Sequence, residues 1–198
     1  GMHLWNDIEV GTVIIVSGPA MSGGSMFEGT VNGKGGHGAM THQTADPIVC
    51  AAQIITALQT AISRNLNPLD TAVLSIGKIE GGTALNVIPQ TVTFAGSYRF
   101  FREETHEMLA ERITEISTNI ATAMGCTADV VTKFGIEPVI NAEEVAQHAE
   151  ATFTRFDDKV SVIHLPWMAS EDVGMLMKAN PGAYLLVGSA NNERGLNY

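Results

Sequence analysis

The order of secondary-structure signals predicts an α+β fold. A ferredoxin-like βαββαβ unit, a four-stranded antiparallel sheet with two helices on one face, is joined to partial α/β segments at both ends of the chain. Two observations carry this reading. The run Thr91 to Phe101 alternates, with Val92, Phe94, Tyr98 and Phe100 facing one way and Thr91, Thr93, Ser97 and Arg99 the other, the period of a half-buried strand. Two stretches on either side of it repeat at helical spacing: Asp46 to about Asn65, and Glu103 to Met124.

Taken in order, the chain opens as though within a domain, with His3-Leu4-Trp5 and nothing before Trp5 to shelter it. Gly1 ahead of Met2 has the look of a cloning residue. Thr12 to Val16 is an apolar strand that breaks at Ser17-Gly18-Pro19. Met26 to Lys34 is a second strand with Phe27 and Val31 as its apolar positions. Four glycines stand in the six residues Gly33 to Gly38 around His37. Because ordering glycine is costly in entropy, something must come close to that backbone. Imidazole among glycines suits proton exchange or the polarising of a carbonyl. A plain glycine turn with an exposed His37 remains the alternative.

Asp46 caps the first helix and Pro47 takes its first position, with Ile48, Ala52, Ile55, Leu58 or Gln59, and Ile62 on one face. Asn67-Pro68 turns the chain into a β-rich run, Thr71 to Ile79, which Glu80-Gly81-Gly82 ends. The second helix sets Leu109, Ile113, Ile116, Ile120 and Met124 in register, has acidic residues in its first turn and stops at Gly125. Residues 126 to 134 form the fourth strand, and Pro138 with Asn141 closes the unit. Beyond it come a helix from Ala142 to about Arg155, a short strand at Val160 to Ile163, a helix headed by Ser170-Glu171-Asp172, and an apolar strand at Ala183 to Val187. These are too few strands for a core of their own. The expected division is therefore 1–25 and 141–198 as remnants of one domain, with 26–140 as the ferredoxin-like insert.

The net charge of -10, with only 11 Lys+Arg, argues against nucleic acid and against an anionic membrane surface, both of which need a basic footprint. No apolar run reaches the roughly 18–20 residues that span a bilayer, and the N-terminus lacks a secretory pattern. The chain reads as soluble and cytoplasmic. Cys50 and Cys126, with no second thiol near either in sequence, read as small buried hydrophobes; a disulfide stays open.

Five separated motifs resemble the dinuclear-metal amidohydrolases and peptidases, which include aminoacylases, hippurate hydrolase, auxin-conjugate hydrolases and carboxypeptidase G. They are His3-Leu4-Trp5-Asn6 with Val10-Gly11-Thr12; Gly35-Gly36-His37-Gly38-Ala39 with Asp46-Pro47; Gly81 through Pro89; Arg99; and Ser170-Glu171-Asp172 with Pro181-Gly182. The resemblance implies a catalytic domain interrupted by a lid or dimerisation domain, the latter at 26–140. It further implies cleavage of N-acyl or aminoacyl amides of small substrates whose product bears a free carboxylate. Two divalent metals (Zn, Mn or Co) would serve the complete enzyme.

By the same resemblance His3 falls on a metal-ligand position. His37 falls on the lid histidine that enters the partner subunit's active site to stabilise an oxyanion, and Asn86 and Arg99 fall on residues that hold the substrate carboxylate. In relatives most metal ligands and the carboxylate base lie before the segment matching His3, and another ligand follows the position of Tyr198. The chain is therefore expected to be a fragment, inactive alone and holding no metal stably. Each residue has a plainer alternative: His3 a terminal side chain beside Trp5, Arg99 a solvated charge on a sheet face, Glu171 and Asp172 helix caps. His42, His106, His148 and His164 read as surface residues. A homodimer is expected through the edge strand at 71–79 and the first helix. The rival reading is a non-catalytic ferredoxin-like dimerisation module.

Overall fold

A computed structural model of the chain describes residues 1–156 and 161–195. In order, the strands begin with β1 (Met2–Glu9), β2 (Thr12–Ile14), β3 (Gly18–Met21), β4 (Gly23–Asn32) and β5 (Gly36–His37). Helix α1 (Pro47–Ser63), β6 (Ala72–Gly81), β7 (Val87–Ile88), β8 (Thr91–Phe100), α2 (Glu103–Ala123) and β9 (Thr127–Ile136) follow. The chain continues with β10 (Val139–Asn141), α3 (Glu143–Phe156), β11 (Ser161–Ile163), α4 (Val173–Ala179) and β12 (Leu185–Ala190). Two compact units result: Gly24–Gly135, and Gly1–Gly23 together with Ile136–Tyr198.

In the unit Gly24–Gly135 the sheet order is β6-β8-β4-β9, the arrangement of a ferredoxin-like βαββαβ fold. Strands β6 and β8 run antiparallel from Ala72 opposite Phe100 to Gly81 opposite Val92, with a bulge between Ile76 and Lys78. The alternation read in β8 is realised: Val92, Phe94, Tyr98 and Phe100 are all buried against Phe27 and Val31 of β4 and the two helices. Full burial of each such side chain is worth roughly 1.5–3 kcal/mol. Asp46 caps α1 as expected, its carboxylate accepting from the N–H groups of Ile48 and Val49 at 2.8 and 3.3 Å. Helix α2 ends at Gly125, whose φ of 71° only glycine adopts without strain.

The buried stripe of α1 differs from the expected one. Cys50, Ala51, Ile54, Leu58 and Ala61 face the core, whereas Ile48 and Ala52 lie outward and Ile55 and Ile62 are half-buried. Apolar residues occupy well over half of this helix's circumference, so periodicity alone does not fix which arc meets the sheet. Packing chose the arc with small side chains at Cys50, Ala51 and Ala61, which lets the helix sit close. His106 is likewise no surface residue. Its ring stacks on Tyr98 and Phe100 with centroids 5.7 and 5.0 Å away, and Nδ1 lies 2.8 Å from the Tyr98 hydroxyl. Burial pushes the Tyr98 phenol up from its ordinary value. Cys50 and Cys126, far apart in sequence, are free thiols that meet in this core, and burial, then Cys126, pushes the Cys50 thiol up to about 11.

In the other unit, strands from both ends of the chain share one sheet ordered β1-β12-β2-β11. β1 lies parallel to β12, and β2 lies antiparallel to β12 and parallel to β11. Ile14 and Leu186 pack on one side of this sheet, Val13, Ile15 and Leu185 on the other. Trp5 is sheltered from afar in sequence: it meets Trp167 edge to face at 5.5 Å. Residues 136 to 141 join this unit because β10 pairs with β3. Buried Asn141 fastens three segments, donating to the carbonyls of Val16 and Tyr184 at 2.8 and 3.0 Å and accepting from the Tyr184 N–H at 2.8 Å.

Candidate functional site

The glycine stretch owes its composition to the chain's own backbone. A Cβ at Gly33 would collide with the Ala45 carbonyl, one at Gly35 would lie 2.7 Å from the Ile88 oxygen, and one at Gly38 3.1 Å from the Asn86 oxygen. None of these glycines has a positive φ. The close approach expected from the sequence is therefore made by residues 45 and 86 to 89. The result is a two-stranded ladder in which His37 stands opposite Val87, closed by a hydrogen bond from the Gly38 N–H to the Asn86 carbonyl at 2.8 Å.

His37 is exposed on this ladder. Its Nδ1 accepts from the Ala39 N–H at 3.1 Å, so the neutral ring carries its proton on Nε2 and presents that N–H outward. The 82 to 86 turn beside it lines, with Gly38, Asp46 and Ile48, an open recess of about 510 Å³. Thus His37 and Asn86, far apart in sequence, stand side by side. Arg99 does not join them. It lies eight residues beyond the start of β8, roughly 27 Å at about 3.4 Å per residue, and its guanidinium occupies the space over Gly24. Arg99 is half-buried on the sheet face, which departs from a fully solvated charge.

In the other unit, the Nδ1 of His3 meets Glu171 Oε1 at 2.5 Å, and the Tyr184 hydroxyl is 3.3 Å from the same nitrogen. The His3 ring also lies edge-on to Trp5, with centroids 5.4 Å apart. Burial, and then the negative charges of Glu171 and Asp172, push the Tyr184 phenol up. The capping role expected of Glu171 and Asp172 is not what the structure displays: Asp172 stands at the N-terminal boundary of α4 without a side-chain cap bond, and Glu171 faces His3 instead. Glu171 and Tyr184 were invisible as partners of His3 because 168 and 181 residues separate them from it. His42 and His148 are exposed, as expected, and His164 pairs with Glu150 at the surface at 3.3 Å. Among the described residues no three His, Cys, Asp or Glu side chains converge as a metal site. The donor chemistry of His3 nonetheless fits a metal ligand, since Nδ1 is engaged and Nε2 remains to coordinate.

The unit Gly24–Gly135 carries His37, Asn86 and Arg99, and the other unit carries His3. The sequence profile described as the peptidase dimerisation domain matches residues 20–124. The chain belongs to the M20 peptidase family.

It is 37% identical over 190 residues to the N-acetyl-L-cysteine deacetylase of Bacillus subtilis, covering 96% of this chain and 45% of that protein. It is 34% identical to the IAA-amino acid hydrolase ILR1-like 4 of Arabidopsis thaliana, covering 98% and 45%. Among solved structures, a dinuclear metal binding peptidase of the M20 family from Bacillus subtilis superposes with a TM-score of 0.78 at 27% identity, over 96% of this chain and 47% of that one. The chain spans about half the length of the curated relatives it matches. These relatives make the chain part of an amidohydrolase family, and that family includes dinuclear metal enzymes. No helix among the described residues is long and apolar enough to cross a membrane.

Proposed function

We propose that this chain is the lid and part of the catalytic domain of a cytoplasmic, metal-dependent amidohydrolase that cleaves N-acyl or aminoacyl amides of small substrates and leaves a free carboxylate on the product. One observation carries the reading: His37 is an exposed Nε2–H donor on the ladder beside Asn86, whereas Arg99 lies eight residues into β8 with its guanidinium over Gly24. A donor so placed cannot serve a substrate held by the Arg99 of its own chain, which favours a second copy as the receiver. His37 then stabilises the oxyanion formed in the partner's site. Asn86 from the same ladder and Arg99 from the receiving chain hold the substrate carboxylate, Arg99 through the planar fork of its guanidinium. His3 holds one of two divalent ions (Zn, Mn or Co), which when bound lower the pKa of water.

The copies associate as a homodimer through β6 and α1. β6 is an edge of its sheet, with Ile79 52% exposed, and α1 turns Ile48 and Val49, 44 and 48% exposed, outward. Alone, the chain is inactive, since His3 is its one residue on a ligand position.

Subunit complementation tests the arrangement. On polypeptides of the relatives' full length, His37→Ala and His3→Ala are each inactive. Mixed and reassorted, half of the dimers are hybrids with one intact site of two, so about a quarter of the wild-type activity returns. Failure to regain activity in demonstrated hybrids refutes action in trans.

A further inference from the structure

We propose that Glu171 is a positioning residue for His3: it takes the proton of Nδ1, and with Tyr184 it holds the imidazole so that Nε2 faces outward as the metal-binding nitrogen. The inference rests on the reading of His3 as a metal ligand and goes beyond it, because nothing in the sequence pairs these residues. Three contacts specify the ring. Glu171 Oε1 lies 2.5 Å from Nδ1, the Tyr184 hydroxyl lies 3.3 Å from the same atom, and the indole of Trp5 stands against the ring at 5.4 Å and 66°.

The carboxylate is itself restrained. Glu171 is 16% exposed, against 43% for His3, and the Tyr184 hydroxyl stands beside the pair, 3.3 Å from His3 Nδ1. Tyr184 is anchored in turn through its backbone, by the bonds of its N–H and carbonyl to Asn141. The chain of support therefore runs from the buried Asn141 through Tyr184 to His3, with Glu171 on the same ring nitrogen. A surface ion pair would need no such support and would leave the ring free to turn. Histidines that bind metals commonly donate their second ring N–H to a carboxylate, which fixes the tautomer and raises the basicity of the ligating nitrogen, and losing that carboxylate costs about 10–100-fold in metal affinity.

The test uses the ¹⁵N-labelled 198-residue chain. At about pH 9, two-bond ¹H–¹⁵N correlation reads which nitrogen of His3 carries the proton. The expected result is Nδ1–H in the wild type and in Glu171→Gln, whose amide oxygen still accepts, with reversion toward Nε2–H in Glu171→Ala. At near-neutral pH, Co²⁺ is then added and the paramagnetic broadening of His3 followed. Wild type is expected to broaden first at His3, with about ten-fold or more Co²⁺ needed in Glu171→Ala and little change in Glu171→Gln.

An Nε2–H ring or a doubly protonated ring in the wild type at that alkaline pH overturns the proposal, and this measurement needs no variant to fold. Equal Co²⁺ sensitivity of wild type and Glu171→Ala overturns the role of Glu171 while leaving His3 as a ligand. A locked Nδ1–H tautomer with no preference of Co²⁺ for His3 overturns it too, and in that case the metal-ligand reading is the part that fails.

Discussion

Replacing Asn141 with alanine tests the claim that one side chain fastens the two ends of the chain into a single unit. Its amide serves three backbone groups, the Val16 carbonyl, the Tyr184 carbonyl and the Tyr184 N–H, all at 2.8 to 3.0 Å, and the residue is 2% exposed. Alanine removes the partner of those three groups in a part-buried site. An orphaned buried group costs about 1–3 kcal/mol, and taking the low end for each gives a loss of about 3 kcal/mol. With a urea m-value of about 2 kcal/mol/M, the midpoint should fall by about 1.5 M.

The readout is selective, because both tryptophans of the chain, Trp5 and Trp167, belong to this unit and touch each other. Their fluorescence therefore reports its unfolding and not that of Gly24–Gly135. Asn141→Asp is expected to be about as damaging at neutral pH: it can still accept from the Tyr184 N–H, but it sets a carboxylate oxygen against two carbonyls. A midpoint shift below about 0.3 M for alanine, or a wild-type-like aspartate variant, refutes the clasp.

The proposed dimer predicts that Ile48→Glu with Val49→Glu leaves the melting of the monomer unchanged within about 0.5 kcal/mol, as exposed substitutions do, yet shifts the species seen by light scattering from dimer to monomer. The purified chain should show no hydrolysis of N-acyl amino acids with Zn, Mn or Co, and metal-dependent turnover surviving further purification would contradict this. Stability should decline as pH rises from about 9 through about 11, the range between the ordinary Cys50 value and the one set chiefly by its burial and then by Cys126. Above the ordinary value the unfolded thiol loses its proton while the folded one keeps it, so alkali favours unfolding. Thermal melts across that interval should show a smaller decline in Cys50→Ala.

Much of the fold is written locally. The alternation of β8, the Asp46-Pro47 start of α1 and the Gly125 stop of α2 each depend on residues within a few positions, so sequence alone determined the elements of the ferredoxin-like unit and their order. His37, Asn86 and Arg99 became candidates through the family resemblance of the motifs that hold them, which needs no knowledge of contacts.

What depended on long-range contact was decided only by the tertiary structure. The arc of α1 that is buried could not be read from a helix apolar over most of its circumference. The glycines at 33 to 38 signalled close approach, but only the packed chain revealed that residues 45 and 86 to 89 make it. His106 lost its surface reading to Tyr98 and Phe100 of β8 and Phe134 of β9, whose rings pack around it. The partners of His3 were the farthest from reach: Tyr184 arrives through the parallel pairing of β1 with β12 and the Asn141 clasp, and Glu171 follows the 167–169 segment that bonds to Ala20 and Ser22. Sequence periodicity reports a residue's neighbours within one element. The geometry of an imidazole is set by atoms that reach it across the sheet, from the opposite end of the chain.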